Sequence, residues 1–121
     1  MPMALKCLYA VLFLTLLGQG LCQCSLRNIK VTQNRTGRDV KGKVEHEVTI
    51  INDCKCMQKL IEFNCSGFSS AIVIDPSIFS KIGDICQLKG GGHLNGYTSI
   101  KFRYAWDTTF NFIPATSQIV C

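Results

Sequence analysis

The residues with most chemical potential in this 121-residue chain are its eight cysteines, at positions 7, 22, 24, 54, 56, 65, 86 and 121. Thiols can bind a metal, act as nucleophiles, or pair as disulfides. A four-thiolate zinc site built from Cys54, Cys56, Cys65 and Cys86 has the wrong spacing, because zinc-binding cysteine pairs are usually separated by two to four residues and Cys54-Lys55-Cys56 has one. A bond between Cys54 and Cys56 would close a small strained ring that constrains the unfolded chain little, so each is expected to reach a different partner.

Other constellations lead to no catalytic reading. The histidines are His46 and His93. His46 stands on the apolar side of an alternating run, where a packed core histidine is expected, and His93 follows three glycines in a loop. No serine sits in a nucleophile-elbow pattern. Glu45 and Glu47 share one strand face that reads as solvent-facing, whereas a glycosidase needs two carboxyls opposed across a cleft. Gly90-Gly91-Gly92 lacks the Lys and Ser or Thr of a phosphate-binding loop. The expectation is therefore a non-enzyme with no catalytic residue, cofactor or metal.

Compartment decides the fate of the thiols. Residues 1–22 read as a secretory signal peptide: Lys6 gives the positive start, Leu8–Leu17 is apolar except for Thr15, and Gly18 and Gly20 supply small residues near the cut. The apolar run is shorter than the about 20 residues that span a bilayer, and no second such run follows. Cleavage after Cys22 leaves one cysteine-rich domain, residues 23–121, starting at Gln23. The competing cut after Gly20 would leave an odd number of cysteines, which is unusual in an oxidising compartment. The six remaining cysteines, Cys24, Cys54, Cys56, Cys65, Cys86 and Cys121, are then expected to form three disulfides whose pairing the spacing does not fix. Each bridge would contribute about 2–4 kcal/mol to a domain of this size, a large share of a total stability of about 5–15 kcal/mol.

Twelve basic residues remain after Lys6 is lost, against eight acidic ones, for a net charge of +4. That suits solubility and an acidic partner surface; it is too small and dispersed for nucleic acid. Asn34-Arg35-Thr36 is a glycosylation sequon in a turn-rich stretch, and Asn64-Cys65-Ser66 is the rarer cysteine-containing form. A bridged Cys65 would hinder modification of Asn64, so Asn34 is the preferred site.

The elements that must position these groups read as strands. In Val44–Asn52, Val44, His46, Val48 and Ile50 alternate with Glu45, Glu47 and Thr49. The same period links Ile29 with Val31, Ile61 with Phe63 and Cys65, Ile100 with Phe102, Tyr104 and Trp106, and Phe110 with Phe112; Ile119 leads into Cys121. Turns are expected at Arg35–Asp39, Asn52-Asp53, Asp75-Pro76, Gly90–Gly92, Asn95-Gly96 and Pro114. Asn95-Gly96 ahead of an alternating run predicts a hairpin, and Pro76–Ile82 predicts one helical turn. Short strands separated by turns predict an all-β, disulfide-stapled antiparallel sandwich, with a small open barrel as the alternative. Phe102, Tyr104 and Trp106 are read as core in preference to a sugar-stacking platform, because one strand face must be buried.

The cysteine order and the blocks around it resemble the TAPETUM DETERMINANT family of secreted plant proteins. The blocks are Cys24-Ser25 with Ile29, Val31 and Gln33; Asn52-Asp53-Cys54; Asn64-Cys65-Ser66-Gly67-Phe68-Ser69-Ser70; Asp75-Pro76-Ser77-Ile78-Phe79; Gly83-Asp84-Ile85-Cys86; and Phe102-Arg103-Tyr104-Ala105. The resemblance implies a secreted, extracellular ligand for the ectodomain of a leucine-rich-repeat receptor kinase. It further implies a role in anther and tapetum cell fate or related plant developmental signalling, and six cysteines needed for the fold. It identifies no receptor-contact residue. The alternative function is a cell-wall polysaccharide-binding module, suggested by the aromatic strand and the positive charge.

Overall fold

The structure, a computed structural model, describes residues 23–121. The signal-peptide reading of residues 1–22, with Cys7 and Cys22, lies outside the described residues. Seven strands form two antiparallel sheets. The first sheet has the order β1 (Ile29–Val40), β2 (Lys43–Asn52), β6 (Ser99–Trp106); the second has the order β4 (Phe79–Ile82), β5 (Ile85–Leu88), β3 (Met57–Asn64), β7 (Ile113–Val120). The two sheets stay separate and face each other as a sandwich, which discards the open-barrel alternative.

Alternation builds the core. Val48 and Ile50 of β2 and Phe102 and Tyr104 of β6 meet Ile61 and Phe63 of β3, Phe79 of β4 and Leu88 of β5. Phe79 stacks on Phe102 at 4.2 Å between ring centroids, joining the sheets directly. Phe68, from the loop after β3, is set edge-on to Tyr104, Phe110 and Phe112. Such edge-to-face pairs add about 0.5–1.5 kcal/mol each beyond area burial.

Several local expectations are corrected. The turn expected at Arg35–Asp39 is a bulge inside β1: between the pairs Arg35↔His46 and Asp39↔Val44, β1 advances four residues and β2 two. Gly37 takes the left-handed φ of +86° that this bulge needs. The reversal itself falls at Lys41-Gly42, both with positive φ, as a tight two-residue hairpin requires. Pro76–Ile82 makes a single turn, in which the Ile78 and Phe79 N–H groups donate to the Asp75 carbonyl, and from Phe79 onward it is strand β4, not helix. The Ser77 hydroxyl and N–H hold the Asp75 carboxyl below its usual pKa. Phe110 and Phe112 lie before β7 in the β6–β7 connection, because the Phe110 backbone is held by the side chains of Tyr104 and Gln33 instead of a neighbouring strand. Pro114 is inside β7, an edge strand, where a missing N–H is tolerated.

Asn95-Gly96 does not make a hairpin. Leu94 bridges to Gln58 in one sheet and β6 begins at Ser99 in the other, so this turn carries the chain across the sandwich. A Cβ on Gly96 would lie 2.2 Å from the Lys55 carbonyl oxygen, so glycine is required by close packing of two loops.

A second bulge sets the inward face of β3. Leu60 has φ +52°, and one extra residue of β3 opposes β7 there. Gln58 and Ile61, three apart, thereby both point inward and are fully buried, and Leu60 is exposed.

Candidate interaction surface

The three disulfides pair Cys24 with Cys54, Cys56 with Cys121, and Cys65 with Cys86. Cys54 and Cys56 take different partners, so the β2–β3 crossover is tied to both the beginning and the end of the domain. Asn52, fully buried, organises this crossover. Its Nδ2 donates to the Cys56 and Leu94 carbonyls at 2.8 and 3.1 Å, and its Oδ1 accepts from the Cys54 N–H at 3.2 Å. Gln58, also fully buried, donates to the Ser25 carbonyl at 2.9 Å and accepts from the Ser117 hydroxyl at 2.7 Å. Asn28 donates to Asp53 Oδ1 at 2.7 Å. Buried amides of this kind persist only when their partners are supplied. Sequence reasoning missed Gln58 and Asn28 as structural residues, because each has a charged neighbour, Lys59 and Arg27, and nothing local marks it as buried.

The candidate catalytic groups are not assembled. His46 is buried against Tyr104, with ring centroids 5.0 Å apart, and His93 is exposed in the β5–β6 connection. Glu45 departs from expectation: although it sits on the outward face of β2, it is only 4% exposed. The β1 bulge brings Thr36 over it, whose hydroxyl donates to Oε1 at 2.6 Å, and places Arg38 and Arg103 within 4.0 and 3.8 Å. Glu47, its strand neighbour, pairs with Arg103 and Lys101. Both carboxylates are thus engaged in ion pairs on one sheet face. The sulfurs of Cys24, Cys56 and Cys121 lie within 4.8 Å of one another, but all three are in disulfides and offer no thiolate to a metal.

The two sequon asparagines are exposed and lie on different sheets. Asn34 is in β1, opposite Glu47. Asn64 ends β3, between Ile85 and Ile113, next to the bridged Cys65. Of the aromatic row on β6, Phe102 and Tyr104 are core residues, 5% and 0% exposed, and unavailable for stacking on a sugar. Trp106 is half-buried, and Lys43 Nζ lies 5.0 Å from its ring centroid.

What remains open is one side of the sandwich. On the other side, the loop after β3 closes against β6: the Ala71 N–H donates to the Ala105 carbonyl and the Ser70 hydroxyl accepts from the Ala105 N–H. Strands β1 and β7, in contrast, each pair on one edge only and flank a groove of about 510 Å³. Its apolar lining comes from Leu26, Ile29 and Val31 on one wall and Phe112, Ile113 and Pro114 on the other. Arg27 and Lys30 line it too, and no carboxylate does. Among the described residues neither cation has an acidic partner within 4.0 Å, whereas Arg38, Lys43, Lys101 and Arg103 all do. Ile113 is 57% exposed at the groove mouth.

Comparison with known proteins places this geometry in a family. The family model described as Tapetum determinant 1, C-terminal, matches residues 25–121. The chain is 34% identical over 100 residues to TPD1 protein homolog 1B of Oryza sativa subsp. japonica, covering 81% of this chain and 58% of that protein. It is 28% identical over 101 residues to TPD1 protein homolog 1 of Arabidopsis thaliana, covering 81% of this chain and 55% of that one. The chain therefore spans a little over half the length of these curated relatives. No solved structure matches it. The matched segment takes in seven strands and five of the six paired cysteines, with Cys24 immediately before it. This chain belongs to the tapetum determinant 1 family, through that family's C-terminal domain.

Proposed function

We propose that the protein is a secreted signalling ligand that binds the ectodomain of a leucine-rich-repeat receptor kinase in the plant apoplast, in tapetum-related or other developmental signalling. The observation that carries this reading is the family match across the whole β domain. The geometry supports it. Three disulfides and a buried amide network hold the surface rigid, which lowers the ordering cost of binding, and the β1–β7 groove is bordered by the cations Arg27 and Lys30. Among the described residues no helix is long and apolar enough to cross a membrane.

The reading includes removal of residues 1–22 and glycosylation at Asn34. The exposed Asn34 would carry its glycan over the ion-paired face of the first sheet, leaving the β1–β7 groove clear. The alternative reading as a wall-polysaccharide module loses its aromatic platform, because Phe102 and Tyr104 are core residues.

The test is functional. Purified mature protein applied to plant tissue should raise phosphorylation of one leucine-rich-repeat receptor kinase within minutes, and the same protein reduced and alkylated should be inert. Equal activity of the reduced protein, or no receptor response across the kinase family, contradicts the proposal.

A further inference from the structure

We infer that the groove between β1 and β7 is a docking site for an extended, acidic segment of a partner protein, which adds as a strand to the open edge of β1. This names the partner chemistry of the ligand proposed above, and it rests on that reading for its biological setting.

Three features of the surface converge. The first is the edge. A free strand edge presents unpaired N–H and C=O groups and is a template for an added strand. β1 is twelve residues long and pairs only with β2. Its bulge at Arg35–Asp39 breaks the edge in the distal half and leaves Ile29–Asn34 regular, beside the groove. β7, on the facing wall, carries Pro114, which has no N–H to offer. The open edge suited to pairing is therefore that of β1.

The second is the apolar floor. A bound strand sends alternate side chains to one side, and here they would meet Ile29, Val31, Phe112 and the exposed Ile113. The third is charge. Among the described residues Arg27 and Lys30 are exposed at the groove with no carboxylate within 4.0 Å, whereas Arg38, Lys43, Lys101 and Arg103 of the same sheet are ion-paired; Arg35, at the β1 bulge away from the groove lining, is the other unpaired cation of its strands. An alternating segment with acidic residues on one side and β-branched apolar residues on the other satisfies all three features, with the carboxylates against Arg27 and Lys30.

The experiment needs no receptor, so it separates this inference from the ligand reading. Isotope-labelled, disulfide-intact mature protein is titrated with the blocked peptide Ac-Glu-Val-Glu-Val-Glu-Val-Glu-NH2 while backbone amide shifts are followed. The shifts are expected at residues 26–34 and at Phe112 and Ile113, and affinity is expected to fall at raised salt. The double variant Arg27→Glu/Lys30→Glu should bind at least about tenfold more weakly, and Lys41→Glu, in the β1–β2 turn, should bind like the parent. The variants alter exposed side chains only, and their amide spectra report directly that the fold is kept. The same peptide with Lys for Glu should not bind. Three results would overturn the inference: no shifts, shifts centred elsewhere, or equal binding of the Lys peptide. Equal binding of an oligogalacturonide, which has acidic groups but neither a peptide backbone nor apolar side chains, would also overturn it and make the groove a wall-polyanion site.

Discussion

The backbone N–H of Cys56 donates to the Sγ of Cys24 across 3.3 Å, so the disulfide that holds the start of the domain rests against the one that holds its end. Cys54 and Cys56 are two residues apart, and through them the first and last segments are fixed at the same place. The Cys56–Cys121 bridge closes a separation of 65 residues, against 21 for Cys65–Cys86. In the chain-entropy account, its removal in Cys56→Ala/Cys121→Ala costs about 4 kcal/mol, and removal of the shorter one about 3 kcal/mol. Thermal melts should show the larger loss for the first variant, with amide-exchange protection lost first in β7. An unchanged melting temperature would contradict the role given to this bridge.

Gly96 is the contact point of two crossovers. Gly96→Ala should cost about 1–3 kcal/mol, in the range of forced overpacking, because its Cβ would lie 2.2 Å from the Lys55 carbonyl oxygen and 2.7 Å from that of Cys54. Amide shifts in the variant should centre on Cys54–Cys56. A variant that melts like the parent would show that the two loops are free to separate.

His46 has a buried Nε2 with no hydrogen-bond partner among the described residues. An unpaired buried polar group costs about 1–3 kcal/mol. His46→Phe keeps a planar ring against Tyr104 and removes the orphaned atom, so its denaturation midpoint should equal or exceed that of the parent. A loss of more than about 1.5 kcal/mol, beyond the effect expected for a volume-conserving swap, would mean that Nε2 has a partner in solution.

Tyr104 joins three elements. Its hydroxyl donates to Gln33 Oε1 at 2.6 Å and accepts from the Phe110 N–H at 3.1 Å. Burial raises its pKa, with the Phe110 hydrogen bond opposing in part. The neutral phenol is thus favoured by folding, so its contribution is fully present below the unfolded pKa of about 10 and is lost as pH rises through the raised folded value. Stability measured from pH 8 to 12 should fall at the alkaline end, and this component should be missing in Tyr104→Phe. At neutral pH the same variant should lose about 1–2 kcal/mol, because it strands Gln33 and the Phe110 N–H. Identical alkaline slopes for variant and parent would contradict this assignment.

The sandwich was legible in the sequence because its buried strands alternate strictly: β2 and β6 follow a period of two through their cores. The bulges were not. Arg35–Asp39 has the residue types of a turn, and only the pairing of both flanks with β2 makes it an irregularity within one strand. Glu45 was misread for the same reason, since the residues that cover it arrive through that bulge. The hairpin expected at Asn95-Gly96 failed because the local turn chemistry was right but the strand that follows belongs to the opposite sheet. The β1–β7 groove left no trace in the one-dimensional pattern: its walls come from residues 26–31 and 112–114, brought together by sheet order alone. Its unpaired cations became visible only once Arg38, Lys43, Lys101 and Arg103 of that sheet had found carboxylates.

The most direct test of the receptor-ligand account is a calorimetric titration of the mature, disulfide-intact protein against a panel of leucine-rich-repeat receptor kinase ectodomains, with wall oligosaccharides as the parallel set. The account predicts saturable binding to at least one ectodomain, abolished when the disulfides are reduced, and no comparable heat from any oligosaccharide. Saturable polysaccharide binding with no ectodomain bound would contradict it.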